Sequence, residues 1–133
     1  MICKHCMSPK KNRPRDPDRA RHMVDAAKAI VSFTANRTFQ DFLTDKLLHS
    51  AVERQFGILG EAGSHISPST QVLWPSIDWV SIKNFRNLLA HEYLRTDYLQ
   101  VWHIATALLP PLISTLEDLF TNLDEQFGPD ASV

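Results

Sequence analysis

The sequence contains few of the residues that shape β structure. Four glycines are spread over 133 residues, and no Asn-Gly or Asp-Gly dipeptide marks a tight hairpin turn. Alternation of apolar and polar residues over strand length is also scarce. These absences disfavour an all-β domain and predict an all-α one.

Cysteine occurs at two positions, Cys3 and Cys6, both within the first six residues. No disulfide framework can therefore hold the fold, which favours a cytoplasmic protein. The Cys-x-x-Cys spacing is typical of half a zinc site, but no second pair completes a set of four ligands, so we expect no metal. A start at Met7 would make residues 1–6 an upstream extension.

No uninterrupted apolar run reaches the ~20 residues of a membrane-spanning helix, so we expect no membrane association. The basic N-terminal segment also lacks the apolar stretch of a secretory signal. Residues 1–21 hold seven Lys/Arg and two Asp, whereas residues 22–133 hold seven Lys/Arg and thirteen Asp/Glu, a net −6. This is not the broad positive face of a general nucleic-acid coat, so any RNA binding would use a local site or the tail.

The first two predicted helices carry apolar residues at helical spacing. The first begins at Asp16, which can cap it, with Pro17 at the first helical position. The second runs from residue 39 to residue 66 and contains Gly57 and Gly60, which cost helix stability. Glycines inside a helix predict that another helix passes close by.

The third predicted helix starts near Asp78, after a loop between residues 67 and 76 with at most one short turn. The fourth starts after Asp97, and Pro110 and Pro111 interrupt its apolar stripe, which predicts a kink or a break. The expected fold is an antiparallel bundle of four long helices with a kinked or broken C-terminal helix.

One domain is expected, because 133 residues suit a single hydrophobic core. The predicted helical domain covers residues 16–127. A flexible basic tail at residues 1–15 precedes it, and a flexible tail at residues 128–133 follows it.

The segment NFRNLLAHEYLR, residues 84–95, places Arg86, Asn87, His91 and Tyr93 among leucines. Arg86 and His91 are five residues apart, about 140° around an ideal helix. The two side chains can therefore converge if the helix ends near His91, or across a symmetric dimer in which each copy supplies one pair.

An arginine offers a planar fork that matches a phosphate, and a histidine moves protons near neutral pH. The pair suffices for metal-free RNA cleavage, in which the ribose 2′-hydroxyl attacks, His91 takes its proton and Arg86 stabilises the charged phosphorane. Asn87 would hold the ribose or orient the histidine, and Glu61 would pair with Arg86 or with a backbone group. The structural alternative is that the helix dipole alone favours cations at this helix end.

The segment RNLLAHEY resembles the R-x4-H-x-Y signature of the HEPN superfamily, in its HepT-like branch. Three longer segments resemble that branch in the same order: FLTDKLLHSAVERQFGILGEA, IDWVSIKNFRNLLAHEY and DYLQVWHIATALLPPL. The resemblance covers about residues 18 to 125. Four segments in the right order make it far more specific than an isolated R-x4-H.

The resemblance implies a small all-α homodimer whose motifs face each other. It implies a metal-independent, cofactor-free endoribonuclease, the toxin of a type VII-like toxin–antitoxin pair, acting on transfer or messenger RNA. On this sequence Arg86 and His91 match the catalytic pair, Asn87 the following polar residue, and Tyr93 the tyrosine that an MNT-type nucleotidyltransferase antitoxin silences with AMP. The alternative is a non-catalytic HEPN partner of a nucleotidyltransferase, which binds nucleotide or only dimerises.

Overall fold

The computed structural model describes residues 15–90 and 97–127, and within these ranges every regular element is a helix. The elements are α1 (Asp16–Thr34), α2 (Phe39–Thr44), α3 (Lys46–Ser64), α4 (Pro68–Leu73), α5 (Trp79–Ala90), α6 (Tyr98–His103), a π-helical turn (Ile104–Leu108) and α7 (Leu109–Phe127). The all-α prediction is confirmed. The predicted tails lie outside the described residues, apart from Arg15.

The hydrophobic core lies where α1 packs against α3 and α7, and where α3 packs against α5. In α1 and α3 the buried side chains recur at the helical spacing that the sequence predicts. The fully buried side chains with the largest volumes are Phe42, Met23, Ile30, Leu59, Ile66, Ile77, Ile82, Leu109, Leu116, Leu119, Leu123 and Val52.

The second predicted helix is in fact two helices, and the prediction of one unbroken segment from 39 to 66 is wrong. Asp45 ends α2 and caps α3, where its carboxylate accepts a hydrogen bond from the Leu48 N–H at 3.2 Å. The Arg37 guanidinium donates to Asp45 at 2.8 Å. These hydrogen bonds, with Arg37 the larger cause, lower the pKa of Asp45. A side chain that caps the next helix competes with continuation of the first.

Asp16 does not cap α1, contrary to the sequence prediction. The N-cap position is Arg15, whose N–H donates to the Asp18 carboxylate at 3.1 Å. The Asp16 carboxylate is buried and accepts three hydrogen bonds, from the Ser67 N–H at 3.1 Å, the Ser67 hydroxyl at 2.6 Å and the Thr70 hydroxyl at 2.7 Å. It therefore fastens the start of α1 to α4, a helix in the segment predicted as a loop.

The predicted starts of the third and fourth helices are confirmed. Asp78 precedes α5 and accepts hydrogen bonds from the Ser81 hydroxyl at 2.7 Å and the Ser81 N–H at 3.0 Å. These bonds, the hydroxyl first, lower the pKa of Asp78. Asp97 caps α6 by accepting from the Gln100 N–H at 3.1 Å.

Pro110 and Pro111 are accommodated without a break between α6 and α7. The chain forms the π-helical turn Ile104–Leu108 directly before them, and the Leu109 N–H bonds to the carbonyl of Ile104, five residues back. Prolines lack the N–H that the α-helical pattern needs, and a local π adjustment is a common way to absorb the loss. The predicted irregularity is therefore a π-helical turn just ahead of the prolines.

By length and composition alone, the continuous helix Tyr98–Phe127 is long and apolar enough to cross a membrane. The expectation of no membrane association is untested by this finding and stays a prediction. Its most apolar window is only 22% buried, and Leu99, Leu108 and Phe127 are exposed. On one side α7 packs against α1, where Lys28 and Glu117 form an ion pair at 2.7 Å.

Helices α3 and α5 approach each other most closely at two glycines. A Cβ atom added at Gly60 would lie 3.0 Å from the Arg86 nitrogen and from the Ile82 carbonyl oxygen, and one at Gly63 would lie 2.6 Å from Ile82 Cγ2. A Cβ at Gly57 would meet nothing within 4 Å among the described residues. The prediction of a close helix is confirmed at Gly60, and at Gly57 no described residue bears it out.

We therefore expect opposite effects from the same substitution at two positions of α3. Gly60→Ala should lower the free energy of unfolding by about 1–3 kcal/mol, because rigid backbone atoms of α5 occupy the space. Gly57→Ala should raise it by up to about 1 kcal/mol, because alanine favours the helix and meets no neighbour. Urea unfolding of both variants measures the difference. Equal effects at the two positions would contradict the α3–α5 packing.

Candidate functional site

Arg86 lies on α5 directly against α3, and both its backbone and its side chain contact that helix. Its backbone nitrogen and Cβ face Gly60, and its Nη1 donates a charge-assisted hydrogen bond to the Glu61 carboxylate. Of the two partners considered for Glu61, Arg86 or a backbone group, the structure shows Arg86. Two consecutive residues of α3 thus fix where the guanidinium lies.

The Arg86–Glu61 ion pair is open to solvent. The Arg86 side chain is 39% exposed and that of Glu61 is 55% exposed. Exposed ion pairs contribute about 0–1 kcal/mol to stability, because water screens them and ordering two long side chains costs entropy. The guanidinium can therefore exchange its carboxylate for another anion at little cost to the fold.

His65 lies on the other side of Glu61, one helical turn further along α3. Its Nδ1 is 3.4 Å from Glu61 Oε2 and 2.9 Å from the Glu61 carbonyl oxygen, and the Ser64 hydroxyl donates to that carbonyl at 2.8 Å. The Arg19 Nη1 donates to the carbonyl of His65 and ties α1 to this end of α3. The Glu61 carboxylate thus lies between two cationic or potentially cationic groups.

A groove between α1 and α3 opens beside this ion pair, with a volume of about 630 Å³. We call it the basic groove, because four of its lining side chains are arginine or histidine. It is lined by Arg19, His22, Arg54, Gly57, Ile58, Glu61, Ala62 and His65. Arg19 and Arg54 carry positive charge, so the groove can attract an anion.

The remaining predicted site residues are not all placed by the structure. Asn87 lies on α5, but its side chain is outside the described part, and His91 and Tyr93 lie in the undescribed segment 91–96. The convergence of Arg86 with His91 therefore stays a prediction. Within residues 15–90 and 97–127, no group of three His, Cys, Asp or Glu side chains could hold a metal ion.

Sequence reasoning missed the basic groove. None of its four arginines and histidines, Arg19, His22, Arg54 and His65, was among the site residues predicted from the sequence. The signal was present along α3, since positions 54, 57, 58, 61 and 65 recur at the spacing of one helical face. What the sequence could not supply was the α1 side of the groove, which depends on how the two helices pack.

Comparison with known proteins gives a consistent family. The family model described as "Ribonuclease HepT-like" matches residues 23–119. The chain is 33% identical over 97 residues to "Probable ribonuclease HepT" of Thermococcus cleftensis, covering 73% of this chain and 88% of that protein. It is 27% identical over 95 residues to "Putative RNase MJ1380" of Methanocaldococcus jannaschii, covering 71% of this chain and 87% of that protein. No solved structure gives a significant match.

Proposed function

Because the chain belongs to the HepT-like ribonuclease family, we propose that it is a metal-independent endoribonuclease, the toxin of a type VII-like toxin–antitoxin pair in the cytoplasm. The observation that carries the proposal is the exposed guanidinium of Arg86 on α5, which is held by the exchangeable carboxylate of Glu61 on α3. His91 follows Arg86 by five residues in the sequence. Asn87 follows Arg86 and supports the pair by holding the ribose or orienting the histidine.

The proposed reaction needs only the RNA and these side chains. The ribose 2′-oxygen attacks the adjacent phosphorus while His91 takes the hydroxyl proton, and the bond from phosphorus to the 5′-oxygen breaks. The leaving 5′-oxygen receives a proton from an imidazolium or from water. Arg86, released from Glu61, stabilises the additional negative charge of the phosphorane. The products are a 2′,3′-cyclic phosphate and a 5′-hydroxyl.

We expect the purified, unmodified protein to cleave total RNA in excess EDTA. Arg86→Ala and His91→Ala should each lower the cleavage rate by about 10²-fold or more, because each removes one group needed in the transition state. End analysis should find cyclic phosphates. Arg21→Ala is the matched control and should cleave normally, because it removes an exposed arginine of a different helix, α1.

Cleavage that requires a divalent ion, or that survives His91→Ala undiminished, would contradict the mechanism. An intact protein that binds nucleotide but never cleaves RNA would favour the non-catalytic HEPN alternative instead.

The proposed dimer uses an apolar groove of about 520 Å³ between α5 and the π-helical turn. Ile82, Phe85, Ile104 and Leu109 contribute its apolar lining, and Leu108 at its edge is 54% exposed. A second copy seated here would cover this surface. The proposed dimer pairs one copy's His91 with the other copy's Arg86, the second of the two routes by which these residues could converge.

We expect the protein to sediment as a dimer at micromolar concentration. Leu108→Asp should shift it toward the monomer and lower cleavage, because it places a charge in the apolar contact. Leu47→Asp is the matched control, since Leu47 is 80% exposed on α3 and does not line the groove. A stable wild-type monomer would refute the proposed arrangement.

The proposed regulator is a cognate MNT-type nucleotidyltransferase antitoxin that acts on Tyr93. The tyrosine oxygen would attack the α-phosphorus of ATP, and pyrophosphate would leave as the new oxygen–phosphorus bond forms. The hydroxyl proton would pass to a base of the antitoxin or to water. The attached phosphate would then occupy the fork of Arg86 in place of the RNA phosphate, and the nucleoside would block access.

We expect the wild-type protein to gain the mass of one AMP on incubation with the antitoxin and ATP, and to lose RNA cleavage. Tyr93→Phe should keep cleavage, gain no mass and escape silencing. Tyr98→Phe is the control, because Tyr98 is the second of the chain's two tyrosines and is half-buried against Phe42 and His49. Tyr93 is not the switch if its Phe variant is silenced as well as the wild type.

A further inference from the structure

We infer that the basic groove between α1 and α3 binds RNA phosphates that flank the scissile phosphate. The inference rests on the proposed ribonuclease function, because it extends the site at Arg86 from one phosphate to several. The groove lies directly beside the Arg86–Glu61 ion pair, since Glu61 belongs both to that pair and to the groove lining.

The charge in the basic groove is positive and largely uncompensated. Arg54 is exposed and makes no hydrogen bond or ion pair within the part of the chain that the structure describes. Arg19 uses one nitrogen for the carbonyl of His65, and its other donors remain. Among the described lining residues Glu61 is the acidic one, and its carboxylate is already paired with Arg86.

The spacing of these groups fits a chain of phosphates better than a single anion. Arg54 precedes Glu61 by seven residues, which is about 10 Å along α3. A nucleic-acid strand carries one negative charge at every nucleotide. A strand whose reacting phosphate lies on Arg86 therefore brings a neighbouring phosphate within reach of Arg54.

Gly57 supports the groove by a different observation. Glycine inside a helix costs about 1 kcal/mol relative to alanine, yet among the residues that the structure describes a Cβ at Gly57 would meet nothing within 4 Å. Within that part of the chain, close packing explains Gly60 but not Gly57. Open space at the floor of the basic groove explains Gly57, because a longer side chain there would project into the path of the RNA strand.

The test measures binding of a single-stranded RNA of about 12 nucleotides, a length in the range such grooves hold. Its riboses carry 2′-O-methyl groups, so binding is measured without cleavage. Arg54→Gln should raise Kd roughly fivefold and reduce the slope of log Kd against log salt by about 0.7, as expected for one lost phosphate contact. Gly57→Leu should raise Kd by filling the groove, although its unfolding midpoint should rise.

Arg21→Gln is the matched control, since Arg21 is exposed on α1 and does not line the groove. It should bind like the wild type. A dinucleoside monophosphate contains only the scissile phosphate, so Arg54→Gln should cleave it with unchanged kcat/KM while its KM for longer RNA rises.

The outcomes separate the two proposals. A wild type that binds the strand but cleaves nothing contradicts the ribonuclease proposal, and the groove is still upheld if Arg54→Gln and Gly57→Leu weaken binding. A wild type that cleaves, with both variants binding as tightly as Arg21→Gln, overturns the groove. So does a wild type that does not bind the strand at all.

Discussion

The close approach of α5 to α3 is the constraint on which the rest of the site depends. Gly60 and Gly63 leave room for α5 to pack closely. Arg86 therefore lies against Gly60, and the next residue of α3, Glu61, forms the ion pair with its side chain. Any side chain at Gly60 would push α5 outward and move the guanidinium with it. The same turn of α3 therefore determines both how α5 packs and where the Arg86 guanidinium lies. A substitution that alters the packing also moves the guanidinium.

The distribution of charge explains why a local site is needed. Residues 22–133 carry a net −6 with histidine neutral, so the helical body as a whole repels a polyanion. Attraction must then come from a few side chains, and Arg54, Arg19 and Arg86 lie against the half of α3 that runs from its middle to its C-terminal end. An acidic exterior with a small basic site limits non-specific binding, because diffuse electrostatic attraction is absent.

Helix type, cap residues and buried stripes could be read from the sequence because they depend on local spacing. The helix starts beside Asp78 and Asp97 were correctly predicted, since each depends only on the next few residues. The role of Asp16 was not, because its partners Ser67 and Thr70 are more than 50 positions away. The pairing of Arg86 with Glu61 followed from chemistry, whereas the basic groove required the packing of α1, which no local pattern encodes.

The exposed Glu61 carboxylate competes with any bound phosphate for the Arg86 guanidinium. Because it is attached beside the guanidinium, its effective concentration is of millimolar order or higher. A ligand with one phosphate must displace it and gains a single contact in return, so free phosphate and mononucleotides are poor occupants. A polymer recovers the loss through additional contacts along its length. The ion pair would thus favour ligands with several phosphates over the small anions that are abundant in a cell.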